Sequence, residues 1–174
     1  MSSLSGKTYI FDSNAFIGPW NFYYAKDLVP TFWDKLLPHI LDTTVRTMDC
    51  VLEEIKVGDL ELWKWLKSIK GLYVYDSSDF SVVQGYRKVL NYIASSELYT
   101  SKALNNWSDP KVADPYLIGA CISTDLKLVS FEKRNKSITA TQPSNKPKIP
   151  DIADEFSVDC VSLYAAMRDL SFLI

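Results

Sequence analysis

With 174 residues and 47% apolar content, the chain carries enough hydrophobic material for one domain with a full core, spanning residues 1–174, rather than two. Its formal net charge of −2 excludes a protein that coats nucleic acid through overall charge, so any polyanion site must be a local patch. No run approaches the roughly 18 apolar residues of a membrane span, and no basic flank with an apolar core marks a signal peptide, so no membrane association is expected.

Gly6-Lys7-Thr8 has the ending of a phosphate-binding loop, but Met1 stands where the first glycine belongs and the triplet precedes the strand, so the match is chance. The apolar run Tyr9-Ile10-Phe11 reads as a first, central strand that ends on Asp12. Ligands of open α/β sheets collect beyond the carboxyl ends of such strands, which makes Asp12 a site candidate, with a plain turn role as the alternative. Ser13 or Asn14 can cap the helix-compatible stretch that follows. Asn14 also stands where a haloacid dehalogenase-type phosphatase needs its second aspartate. Residues 20–33 are rich in large rings and read as a loop leading to a helix from about Pro30, with core packing favoured over base stacking.

A second strand is expected over residues 43–48, and a short helix over 50–55 that stops near Gly58. Val51, Leu52 and Ile55 share its apolar face, so Glu53 and Glu54 diverge and only one can face a given site; Glu54 is the candidate. Asp59 caps a helix through Lys70 with Leu60, Trp63, Leu66 and Ile69 at core spacing. A third strand follows over 72–75, and Asp79 opens a helix with an apolar stripe from Val82 to Ile93. After a partly helical, more polar connection over 95–107, Asp114 is expected at the N-cap and Pro115 at the first position of another helix. Residues 126–132 read as a fourth strand delivering Glu132 to the same edge as Asp12.

Residues 134–148 read as a long exposed loop. Lys133, Arg134, Lys136, Lys146 and Lys148 make this region basic, either as a grip on a phosphate backbone or as plain solvated surface. A short helix from Ile149, a last strand over 158–161 and a last helix over 163–170 complete an alternation that indicates an α/β fold.

His39 is the only histidine, which excludes Ser-His-Asp, Cys-His and multi-histidine metal sites. Cys50, Cys121 and Cys160 are far apart and lack CxxC spacing, which fits free thiols in a reducing compartment and makes the cytoplasm the expected location. Chemistry must therefore rest on carboxylates. Asp12, Glu54, Asp114 and Glu132, with Asp151 close behind, would meet at one end of a parallel sheet and repel one another unless hard divalent cations, Mg²⁺ or Mn²⁺, were held among them.

The strand-plus-acid Tyr9-Ile10-Phe11-Asp12-Ser13, the Val51-x-x-Glu54-Ile55 helix, Asp114-Pro115-Tyr116-Leu117-Ile118-Gly119-Ala120 and Val129-Ser130-Phe131-Glu132 together resemble PIN-domain ribonucleases. Phe32-Trp33 and Lys148-Ile149-Pro150-Asp151 resemble, more narrowly, a PIN-like subfamily of uncharacterised bacterial and archaeal proteins related to VapC-like toxins. The resemblance covers nearly the whole chain in order. It implies a three-layer α/β/α fold and Mg²⁺- or Mn²⁺-dependent hydrolysis of RNA, with an antitoxin protein as partner and a homodimer as a further association. Asp12, Glu54 and Asp114 match the family's first three acids, and the set Asp12, Glu54, Asp114 and Glu132 is the implied catalytic group. The fourth position departs from the usual aspartate, which leaves that ligand to Glu132 or Asp151 beside Asp12 and Asp114. A PIN-like domain that binds RNA or a protein without cutting is the alternative.

Overall fold

The computed structural model describes residues 7–174; Met1 and Gly6 of the dismissed phosphate-loop match lie outside the described residues. Five short strands, β1 (Tyr9–Phe11), β2 (Val45–Met48), β3 (Tyr73–Tyr75), β4 (Lys127–Val129) and β5 (Cys160–Val161), form one parallel sheet in the order β3-β2-β1-β4-β5. β1 is central because it is apolar on both faces: Tyr9, Ile10 and Phe11 are fully buried. It pairs Ile10 with Arg46 of β2 and Phe11 with Val129 of β4.

The helices described are α1 (Ser13–Gly18), α2 (Pro30–Leu41), α3 (Asp49–Gly58), α4 (Leu60–Ser68), α5 (Phe80–Ser95), α6 (Ser101–Trp107), α7 (Asp114–Ile122), α8 (Ile149–Glu155) and α9 (Leu163–Asp169). From β1 to β3 the chain steps in one direction across the sheet, then crosses back to β4 and β5 on the other side of β1. Right-handed crossovers therefore put the helices before β3 on one face and α5 to α8 on the other, giving α/β/α layers. The packing follows this division: α3 lies against α1 and α4, whereas α7 lies against α5 and α8.

Several boundaries differ from the sequence-based expectations. Asp12 itself, not Ser13 or Asn14, caps α1 by accepting from the Ser13 amide. A π-helical turn, Pro19–Tyr23, then extends α1 into the aromatic segment. α3 starts one residue earlier than expected, at Asp49, and ends at Gly58 as expected. Asp59 and Asp79 are side-chain caps of α4 and α5 as expected, but α4 buries Leu62 and Leu66 while Leu60 is exposed. The cap preceding α7 is Ala113, so Asp114 is the first helical residue and its carboxylate is not spent on capping. β4 ends at Val129 because β5, its outer partner, ends at Val161 opposite, and Glu132 lies beyond the strand.

α5 and α7 cross at a contact that only glycine permits. A Cβ on Gly85 would stand 2.2 Å from the Gly119 carbonyl oxygen, and one on Gly119 would stand 2.6 Å from the Tyr86 amide nitrogen. Both obstacles are backbone. The rings of Tyr86 and Tyr116 stack beside the crossing with centroids 4.2 Å apart. This close approach fixes α7, and with it Asp114, against the rest of the second face.

Candidate active site

The direction of strand progression reverses between β1 and β4, and in doubly wound sheets that reversal opens a crevice at the carboxyl edge. Asp12 and Ser130, each one residue past its strand, stand side by side there. Asp12 is 2% exposed. One carboxylate oxygen accepts from the Ser13 amide at 2.6 Å and the other from the Ser130 hydroxyl at 3.1 Å. Thr47, buried at the end of β2, donates to the Phe11 carbonyl and ties the neighbouring strand to the same edge. Burial raises the Asp12 pKa to about 6, reinforced by the negative charges of Glu54 and Glu132, and the two hydrogen bonds only partly offset this.

Asp114 stands at the start of α7 with its pKa well above the usual carboxylate range. Burial is the main cause, followed by the charges of Asp12, Glu132 and Glu54, while Lys148 opposes them. The structure thus brings Asp12, Glu54, Asp114 and Glu132 within electrostatic reach of one another, from β1, α3, α7 and the segment after β4. Glu54, not the exposed Glu53, turns toward this edge, and its Oε1 accepts from the Ala113 amide at 2.9 Å. That bond ties α3 to the residue that precedes Asp114.

Glu132 is engaged on both oxygens: Lys148 Nζ donates to one at 2.8 Å and the Ile149 amide to the other at 2.8 Å. Asp151 faces elsewhere. It accepts from the Asn135 amide at 2.9 Å and its charge acts on Tyr99. Among the described residues, no group of three His, Cys, Asp or Glu side chains stands ready to hold a metal ion.

A family model described as "Domain of unknown function (DUF4411)" matches residues 9–174. The chain belongs to the DUF4411 family. No curated protein and no solved structure matches it. The DUF4411 match runs from the first residue of β1 past α9 and takes in every acid named above.

The basic residues of this DUF4411 chain separate into two kinds. Lys148 belongs to the acidic edge as the partner of Glu132, and Arg134 forms a two-pronged pair with Asp154, its second nitrogen 2.8 Å from Oδ1. Lys133, Lys136 and Lys146 are exposed. Two further participants were not apparent from residue type alone: Ser130 as a donor to Asp12, and Lys148 as the internal cation. Ser130 is marked by its place one residue past the strand, in step with Asp12; Lys148 belongs to the basic group expected near the acids, but its pairing with Glu132 spans a loop and has no local signal. Burial pushes the Cys50 and Cys160 thiols up to about 12 and Cys121 higher still, which makes their nucleophilic thiolates scarce. A cleft of about 860 Å³ opens beside Glu54, between α3 and the segment before α7, lined by Asp49, Glu53, Ser77 and Lys111 among others. No helix of the described residues is long and apolar enough to cross a membrane.

Proposed function

We propose that the protein is a metal-dependent endoribonuclease that hydrolyses RNA phosphodiester bonds at the Asp12 edge. The observation that carries this reading is the pair Asp12 and Asp114 at the sheet's switch point, two carboxylates whose ionised forms are disfavoured by burial first and then by neighbouring acids, Glu54 and Glu132 for Asp12 and Asp12, Glu132 and Glu54 for Asp114. Carboxylates with strongly perturbed pKa values in a cleft are the mark of a functional site. The donor set fits Mg²⁺ or Mn²⁺, because it consists of hard oxygens. Mg²⁺ typically keeps several waters and takes one or two carboxylates plus substrate phosphates, so two acids of this chain would suffice as its protein ligands. Asp12 and Asp114 would hold the ion, with Glu132 as the third acid in preference to Asp151, which is turned toward Asn135. When bound, the ion would lower the pKa of a water and polarise the phosphodiester.

The chain's own residues have distinct parts in this scheme. Ser13 and Ser130 orient the Asp12 carboxylate by hydrogen bonds to opposite oxygens. Glu54 fixes the entry of α7, and so the position of Asp114, through the Ala113 amide. Lys148 offsets negative charge at Asp114 and holds Glu132 while the ion is absent. The assignment to RNA, and to a toxin restrained by a protein antitoxin, rests on the sequence resemblance to PIN-domain ribonucleases.

The test incubates the protein with mixed RNA substrates in Mg²⁺, Mn²⁺ or EDTA and compares it with Asp12→Asn, Asp114→Asn and Glu54→Gln. Wild type should cut only with metal, and Asp12→Asn and Asp114→Asn should each lose a hundredfold or more, on the order expected for removing one preorganised electrostatic group. Full activity in either aspartate variant refutes the site. RNA binding without cleavage across all metals would favour a non-cutting RNA-binding domain instead.

A further inference from the structure

The rings of residues 20–33 divide into two populations. Phe32 and Trp33 are buried, and Trp20 and Tyr24 pack against the core, so the core-packing expectation holds for these. Phe22 and Tyr23 are 78% and 53% exposed. Tyr23 nevertheless has a fixed place. Its ring stacks on Phe131, from the far end of the sequence, with centroids 5.7 Å apart and planes inclined by 25°.

Phe131 connects this stack to the acidic edge. It lies between Ser130, which donates to Asp12, and Glu132, which holds Lys148. Consecutive Cα atoms are about 3.8 Å apart, so the platform begins within one residue's step of the groups around Asp12. Both rings rest over Gly18, the last residue of the helix that Asp12 caps: a Cβ there would stand 3.2 Å from Phe131 Cε2 and 3.6 Å from Tyr23 Cε2. Phe131 also lines a cleft of about 350 Å³ together with Ser130, Glu132, Lys133 and Arg134. Phe131 and the exposed Lys133 therefore share a cleft with Ser130, the donor to Asp12, and with Glu132.

We propose that Tyr23 and Phe131 form a stacking platform for one nucleobase of single-stranded RNA, next to the phosphate presented to the Asp12 edge. The choice of polymer rests on the RNA-hydrolysis reading; the platform itself rests on the ring geometry. Proteins that hold single strands combine aromatic faces for the bases with cationic side chains for the backbone, and Lys133 supplies such a cation directly after Glu132. Bases in a duplex have no free face, so the site selects single strands.

The experiment measures binding in EDTA, where cleavage does not intervene, by fluorescence anisotropy with a short oligoadenylate, an abasic ribose-phosphate chain of equal length, and duplex RNA. Wild type should prefer oligoadenylate to both others. Tyr23→Ala should weaken oligoadenylate binding roughly five- to a hundredfold, the range for one lost base stack. Tyr23→Phe and Tyr23→Trp should retain affinity, and Phe22→Ala, an exposed ring outside the stack, should match wild type. Unchanged affinity in Tyr23→Ala, equal binding of the abasic chain, or an equal loss in Phe22→Ala overturns the platform. The nuclease reading is judged separately. Tyr23-dependent binding with no cleavage in Mg²⁺ or Mn²⁺ supports the platform and sinks hydrolysis, whereas metal-dependent cleavage with KM unmoved by Tyr23→Ala sinks the platform and leaves hydrolysis standing.

Discussion

Replacing Asp12 by Asn should stabilise the metal-free protein at neutral pH, although Asp12 caps α1 and accepts two buried hydrogen bonds. Its pKa rises from 3.8 to about 6 on folding. A group whose folded pKa is raised stabilises fully below its unfolded pKa, and that contribution is lost as pH rises through the folded value. At about 1.4 kcal/mol per pKa unit, the ionised Asp12 costs about 3 kcal/mol above pH 6 relative to pH below 3.8. Asn keeps the size and one acceptor oxygen for the Ser13 amide, and its NH₂ can donate to Ser130, but it gives up charge-assisted bonds worth more than neutral ones. The net gain should therefore be about 1–2 kcal/mol, or several degrees in Tm for a chain of this length. Thermal melts in EDTA from pH 4 to 8 check it. The wild-type midpoint should fall relative to Asp12→Asn between about pH 4 and pH 6, then run parallel above. Millimolar Mn²⁺ should reverse the order at pH 7.5, since binding to the native state stabilises only the protein that has the site. An Asp12→Asn variant less stable than wild type in EDTA at pH 7.5, or a difference independent of pH, refutes the picture of Asp12 as a buried, repelled carboxylate.

Lys148→Met removes the cation held 2.8 Å from Glu132 and should raise Mn²⁺ affinity several-fold in calorimetry, at a cost of about 1 kcal/mol or less in metal-free stability because the pair is partly exposed. Unchanged or weaker Mn²⁺ binding would remove Glu132 from the metal site. Changing Lys133, Lys136 and Lys146 together to Ala should lower the slope of log K against log salt for single-stranded RNA by about 2, whereas Arg134→Ala, already paired with Asp154, should change it little; an unmoved slope for the triple variant returns that region to solvated surface. Gly85→Ala and Gly119→Ala should each destabilise by about 1–3 kcal/mol or more, because the new methyl meets backbone at 2.2 or 2.6 Å and the roughly 1 kcal/mol gain in helix propensity is smaller. Gly58→Ala, whose Cβ would meet only Ile17 at 3.5 Å, should instead stabilise, and chemical denaturation of the three variants reads the contrast.

The elements were legible where their causes are local. Asp59 and Asp79 each accept from an amide of the first helical turn, a bond made by residues two or three apart, so the sequence placed both caps correctly. The first strand was legible because an apolar run of that length is suited to burial on both faces. The fourth strand is shorter than its sequence suggests: Ser130-Phe131 suits a strand by itself, but pairing stops at Val129, opposite Val161 of a strand far along the chain. The place of Asp114 before Pro115 suits an N-cap, but Ala113 takes that position, its amide bound by the Glu54 carboxylate, and Asp114 is the first helical residue. That contact joins α3 to α7 across the chain, and no local pattern announces it.

The site divides along the same line. Residue type, order and the resemblance to PIN-domain ribonucleases point to Asp12, Glu54, Asp114 and Glu132, and a parallel sheet carries strand ends and helix starts to one edge. What type and order leave open is how each charge is answered. Glu54 has the Ala113 amide, and Glu132 has the Ile149 amide and Lys148, so both have donors within the chain. Asp12 has two donors as well, yet burial outweighs them and its pKa still rises; Asp114 is raised further, with Lys148 as the opposing charge. Ionisation is therefore disfavoured at Asp12 and at Asp114. Asp12 and Asp114 are the residues that would hold a divalent ion, and Asp151 would not join them, because its bond to the Asn135 amide holds it in the loop beyond.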